Sequence, residues 1–133
     1  GCCGATTDTY AFGNHQNFRQ HEALQVPKEM HLPIRLIRPQ TFAMARQSKL
    51  RSAPVVRDAY DEGKSYFLGH ATFGNTVRTY MAGARGRILG ESEGKGRWVF
   101  VVMDPASDML VLQDPYRGVR AGWVPAGQTR LTK

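Results

Sequence analysis

The chain has 133 residues, the size of one ordinary domain and too short for two, and its 41% hydrophobic and 22% charged residues are those of a globular protein. No stretch approaches the roughly 18 consecutive apolar residues of a membrane-spanning helix, so a bundle of such helices is excluded. Eighteen basic against eleven acidic residues give a net charge of +7, a bias toward anionic partners such as nucleic acid, anionic lipid or carboxylate-bearing cell-wall peptide.

Residues 1–25 are polar, rich in Thr, Asn, Gln and His, and read as a tether. Cys2 and Cys3 are the only cysteines and are adjacent. A disulfide between them is disfavoured, because the usual Cα separation in a disulfide is about 5.5 Å and one peptide unit gives about 3.8 Å. Gly1-Cys2 resembles the end of a bacterial lipoprotein signal, in which a small residue precedes the cysteine that is acylated after cleavage, and the small polar run 4–9 resembles the tether that follows it. The resemblance implies acylation at Cys2, with each buried CH₂ contributing about 0.8 kcal/mol to membrane attachment. The residue after Cys2 is not Asp, which implies sorting to the periplasmic face of the outer membrane. A free thiol at Cys2 is the plain alternative.

Residues 26–49 read as an extended arm, since Pro27, Pro33 and Pro39 exclude a long helix. Within it, Leu32, Ile34 and Leu36 alternate with Pro33 and Arg35, the pattern of a strand with one buried face, and the prolines suit a sheet edge. Between 30 and 57 lie Arg35, Arg38, Arg46, Lys49, Arg51 and Arg57 with no Asp or Glu. Such a charge run is ordinarily a solvated face. Residues 41–50 suit a short helix or a strand equally. Residues 65–68 and 76–81 are aromatic and β-branched runs separated by turn residues, and both read as strands. Four glycines between 82 and 95 predict loop with at most a short strand over 87–89. Residues 97–103 form the strongest strand, apolar on both faces and therefore central. After a turn at 104–108 come a fourth strand at 109–112, a turn at 114–118 and a short final strand at 121–125. Strands at this spacing predict a mainly β fold, a small barrel or sandwich.

The second half, over residues 50–133, resembles a bacterial SH3 domain. The resemblance is carried by Arg51 and Pro54, by Phe67-Leu68-Gly69 and Gly74-Asn75-Thr76-Val77, by Gly96-Arg97-Trp98-Val99 and by the closing Gly122-Trp123-Val124. It implies a small SH3-like β-barrel preceded by the irregular arm. The loops at 55–65 and 82–96 are longer than that family's. In such barrels aromatic side chains line a ligand groove, because flat rings give contact area at low entropy cost. Tyr60, Tyr66, Trp98, Tyr116 and Trp123 are the candidates here, with Arg57, Arg117 and Arg120 nearby in sequence to receive an acidic peptide. Trp98 and Trp123 are equally core residues on this pattern.

No catalytic or metal constellation emerges. His15, His21, His31 and His70 match no zinc template. Cys2 and Cys3 stand on a tether where no nucleophile and base can be held in register. The carboxylates Glu91 and Glu93, and Asp58, Asp61 and Glu62, stand in loop-like contexts, and glycines 83, 86 and 90 do not form a dinucleotide fingerprint. No cofactor and no enzymatic activity are expected. The expectation is an envelope-anchored binding or scaffold module for peptidoglycan stem peptide or a protein partner. A structural subunit of a secretion or conjugation apparatus comes second. A nucleic-acid-binding barrel comes third, because basic and aromatic residues do not interleave along one strand.

Overall fold

The computed structural model describes residues 26–27, 29–57, 74–92 and 97–132. Along the chain these form β1 Arg35–Met44, β2 Ser48–Arg51, β3 Thr76–Tyr80, β4 Arg85–Ser92 and β5 Trp98–Met103. A 3-10 turn at Pro105–Leu110 leads to β6 Val111–Gln113 and β7 Ala121–Pro125, and a second at Ala126–Gln128 leads to β8 Thr129–Leu131. The strands make one antiparallel sheet in the order β6-β3-β2-β7-β5-β4-β1-β8. The mainly β class read from the sequence is therefore found. The sheet is not closed, and β6 and β8 are its edges.

It is nevertheless strongly curled. Four interstrand steps separate β7 from β8, about 19 Å in a flat sheet. The chain covers that gap with only Ala126–Gln128, which at the rise of a 3-10 turn advances about 8 Å between the strand ends. The two distances agree only if the intervening strands bend round. Interrupted register supplies the bend, between Leu36 and Gln40 on β1 and between Ile88 and Gly90 on β4.

Strand β5 lies between β4 and β7 with all six residues buried, as the sequence predicts for a central strand. Phe100 faces Trp123 across the β5–β7 ladder and Gly90 across the β4–β5 ladder, so these three share one face. Val26 and residues 29–33 cover that face. Val26, Met30 and Leu32 are buried in the core, the Trp123 indole N–H donates to the His31 carbonyl at 2.6 Å, and Pro33 lies over Gly90. On the opposite face, Phe42 and Met103 both pair with Gly86, whose bare Cα lets Met103 pack against the strand. Each large apolar side chain buried in this way contributes about 1.5–3 kcal/mol.

Several local expectations change. The strand expected at 32–36 begins only at Arg35, as β1; its first residues pair with β4 alone, as expected of an edge, and β8 covers the other side of β1 only at Phe42–Met44. Pro39 is tolerated there because it falls in the gap of the ladder between Leu36 and Gln40. Ile34 precedes the ladder and is 79% exposed, so it does not share the burial of Leu32. The ambiguous 41–50 stretch is the end of β1, a turn and β2. The glycine-rich 82–95 stretch contains the eight-residue β4, where Gly86 and Gly90 serve close packing rather than a loop. Met109 belongs to a 3-10 turn and is 83% exposed, leaving only Val111–Gln113 as β6. Residues 121–125 are not the last strand, since β8 follows. The strand expected at 65–68 lies outside the described residues.

Candidate functional site

The two ends of the β5–β7 ladder differ in chemistry. At the Trp98 end, a cleft of about 340 Å³ is lined by His31, Pro33, Ile34, Arg35, Pro54, Glu91, Ser92 and Trp123. Its construction follows from the arm. Trp123 is fully buried beneath the cleft, its N–H held by the His31 carbonyl. The His31 amide donates to Ser52 O at 2.7 Å, tying the arm to the segment that leads to Pro54. Arg35 on β1 is in register with Glu91 on β4, and the Glu91 carboxylate accepts from Arg97 Nη2 at 3.0 Å. Ile34 projects into solvent beside Pro33. The result is an apolar trough with Arg35 and Glu91 among its lining residues, a composition suited to binding and orienting a ligand segment.

The other end is ionic. Met103 N–H donates to Arg120 O, which places Arg120 about five residues along β5 from Trp98, or about 17 Å. There Arg78 is almost completely buried on β3, and donates to Tyr80 Oη at 2.9 Å, Asp108 Oδ1 at 2.9 Å and Asp114 Oδ2 at 3.1 Å. Arg120 grips both oxygens of Asp108, and Asp114 accepts the Gly118 amide. The hydrogen bonds from Arg120, and then those from Arg78, hold the Asp108 carboxyl below the usual carboxylate range, while burial works against them. Burial pushes the Tyr80 phenol up. Arg78 Nε is buried without a partner. Every other guanidinium contact is made within the fold, so this cluster acts as a latch that fastens the 105–118 excursion to β3.

The residues singled out from the sequence are divided between these ends. Trp123 underlies the apolar cleft, and Trp98 is buried beside it, opposite Ser92 and Pro125. Neither indole is exposed as a platform. Arg120 is committed to Asp108, and Arg117 is exposed with a left-handed backbone, φ 55°, in the 114–118 turn. Tyr116 is half-buried against the core, and burial followed by the neighbouring Glu29 charge raises its pKa. Trp98 and Trp123 thus gather at one end, and Arg117 and Arg120 do not join them. Tyr60, Tyr66 and Cys2 lie outside the described residues. The cleft residues that sequence reading missed are His31, Pro33, Ile34, Arg35, Pro54, Glu91 and Ser92. The proline spacing of the arm was a signal only for those of them within 26–49.

Among the described residues no group of His, Cys, Asp and Glu is arranged to hold a metal ion, and no helix is long and apolar enough to cross a membrane. No protein-family model, curated protein or solved structure matches the chain significantly.

Proposed function

We propose that this chain is a non-catalytic binding module whose Trp123-floored cleft receives an extended peptide segment of a partner at a bacterial envelope. The observation that carries the reading is the cleft itself: an exposed Ile34 and two prolines, one on the arm and one after β2, flank a trough with a fixed floor. Pro33 and Pro54 stiffen the walls, so little conformational freedom is lost on binding. An extended segment suits the trough because its side chains alternate, one set meeting the apolar wall while Arg35 and Glu91 meet polar groups between them.

The curl of β7, β5, β4, β1 and β8 supports the SH3-like reading, in which a small curved sheet offers its rim to a peptide. Envelope location rests on the Gly1-Cys2 resemblance, with Cys2 as the acylated residue and peptidoglycan stem peptide or an envelope protein as the partner. Loss of a metabolic palmitate label in Cys2→Ser tests the anchoring.

Site-specific photo-cross-linking in intact cells tests the binding surface. A photoreactive residue at position 34 is expected to give a discrete adduct that is absent when the same residue stands at position 109, which is equally exposed. Equal adducts from both positions, or none from 34, would overturn the reading.

A further inference from the structure

We infer that the end of the molecule built from the β3–β4 turn and the 3-10 turn Pro105–Leu110 is the interface of a symmetric dimer, with a second copy of this chain as its occupant. Met81, Ala82, Pro105, Ala106, Met109 and Leu112 are all exposed there, Met109 at 83%. Backbone contacts set them side by side. Met81 N–H donates to Leu110 O at 2.8 Å, the Arg85 amide donates to Ser107 Oγ at 2.8 Å, the Asp104 amide donates to Arg85 O at 2.9 Å, and Val111 pairs with Tyr80. Single apolar residues scattered over a surface are ordinary, whereas a contiguous group marks a surface that another molecule covers. Arg78 and Arg120 hold Asp108 from beneath, so the 3-10 turn presents Met109 on a fixed support.

Charge chooses the occupant. Arg85 is exposed and Asp104 half-buried, and among the described residues neither side chain has a hydrogen-bond or ion-pair partner. Asp104 precedes the 3-10 turn without capping it through its side chain. Asp108 close by is committed to Arg120 and Arg78. The patch thus carries one uncommitted cation and one uncommitted anion on a chain whose net charge is +7. Two copies at +7 repel over most of their surface, and a neutral apolar patch is where they approach at least cost. In a two-fold interface residue i of one copy meets residue j of the other and j meets i, so a patch with one cation and one anion complements itself. Arg85 of each copy then meets Asp104 of the other. An anionic lipid surface would gain from Arg85 and be repelled by Asp104.

The patch lies beyond Met103, and the Trp123 trough lies at the Trp98 end of β5, about 17 Å away along the strand. Both troughs therefore stay open in the dimer. The pairing of copies stands independently of what the trough binds, and two linked troughs raise the avidity for any partner that repeats its segment.

Sedimentation equilibrium of the full chain between about 1 µM and about 1 mM tests the interface. The patch is small beside a standard interface, so a reversible monomer–dimer equilibrium of micromolar affinity is expected. Met109→Lys is expected to weaken it about tenfold or more, while Val56→Lys, which adds the same charge at an exposed site near the opposite end of β3, leaves it unchanged. Arg85→Asp and Asp104→Arg are each expected to be monomeric alone, and an equimolar mixture of the two to associate, because across a two-fold axis each variant supplies the charge that the other has lost. The altered side chains make no hydrogen bonds or ion pairs among the described residues, so all variants are expected to keep the parent circular dichroism spectrum. A photoreactive residue at position 109 should give an adduct of twice the chain mass, unlike the partner adduct expected from position 34. A chain that is monomeric throughout, association that survives Met109→Lys, or a mixture that stays monomeric would overturn the proposal. A monomer that co-sediments with phosphatidylcholine vesicles, and ceases to in Met109→Lys, would overturn it as well and give the patch to lipid.

Discussion

Both ends of the β5–β7 ladder are well buried, yet they are held by different forces. At the Trp98–Trp123 end the arm lays Val26, Met30 and Leu32 over an apolar face and fixes one indole with one hydrogen bond. At the Met103–Arg120 end, two guanidinium groups and two carboxylates pin a 3-10 turn and a loop to β3. Burial of area is non-directional and insensitive to pH, whereas a half-buried ion cluster depends on every partner remaining charged. The apolar end can therefore form a hollow with spare surface, while the ionic end has its charges committed internally.

The sharpest way to break this contrast is Trp123→Ala, which removes the floor on which the arm rests. A loss of about 3–5 kcal/mol in urea unfolding is expected. Trp123→Phe, keeping bulk but losing the donor to His31, is expected to cost about 1–3 kcal/mol by the same measurement. At the ionic end, Asp108→Ala leaves the buried Arg78, whose Nε already lacks a partner, with one anion fewer. Because Asp108 is partly solvent-exposed, a loss of about 2 kcal/mol is expected, below the full value for a buried pair.

That latch also has a pH signature. The folded-state pKa of Asp108 is depressed below its unfolded value near 3.9, so its contribution is complete above that value and is lost as pH falls through the folded pKa. The stability gap between the parent chain and Asp108→Asn, followed by thermal melts, should accordingly shrink as the pH is lowered below about 4. The effect of Trp123→Ala should show no such dependence.

Smaller effects refine the picture. A methyl at Gly90 would come within 2.7 Å of Pro33 Cβ, so Gly90→Ala is expected to shift the arm and cost about 1–2 kcal/mol in chemical denaturation. Arg117 holds φ 55°, where a side chain costs about 1–2 kcal/mol and glycine costs less. Arg117→Gly is expected to raise stability by about 0.5 kcal/mol, read as a small rise in Tm.

The β-rich class and the centrality of β5 were legible because alternation and bulk report directly on burial. Gly86 and Gly90 misled, since a glycine that admits Met103 or Pro33 is spelled the same way as one that breaks a strand. The place of Val26 and residues 29–33 was hidden for a different reason. Val26, Met30 and Leu32 follow no regular period, and their burial depends on Trp123, about 90 residues further on. Of the two readings open for Trp98 and Trp123, core and exposed platform, their burial matches the core one, and the sequence could not choose because both use the same residue type. Arg120 was read as a ligand contact, when its partner Asp108 stands only twelve positions earlier.

The cleft exists only while the arm stays seated on Trp123, and hydrogen exchange at that indole N–H tests this most directly. Protection equal to that of the Val101 amide, in the middle of β5, is expected, meaning that the contact opens only with global unfolding. Exchange far faster than that amide would mean that the arm lifts independently, and the trough would not be a standing feature of the fold.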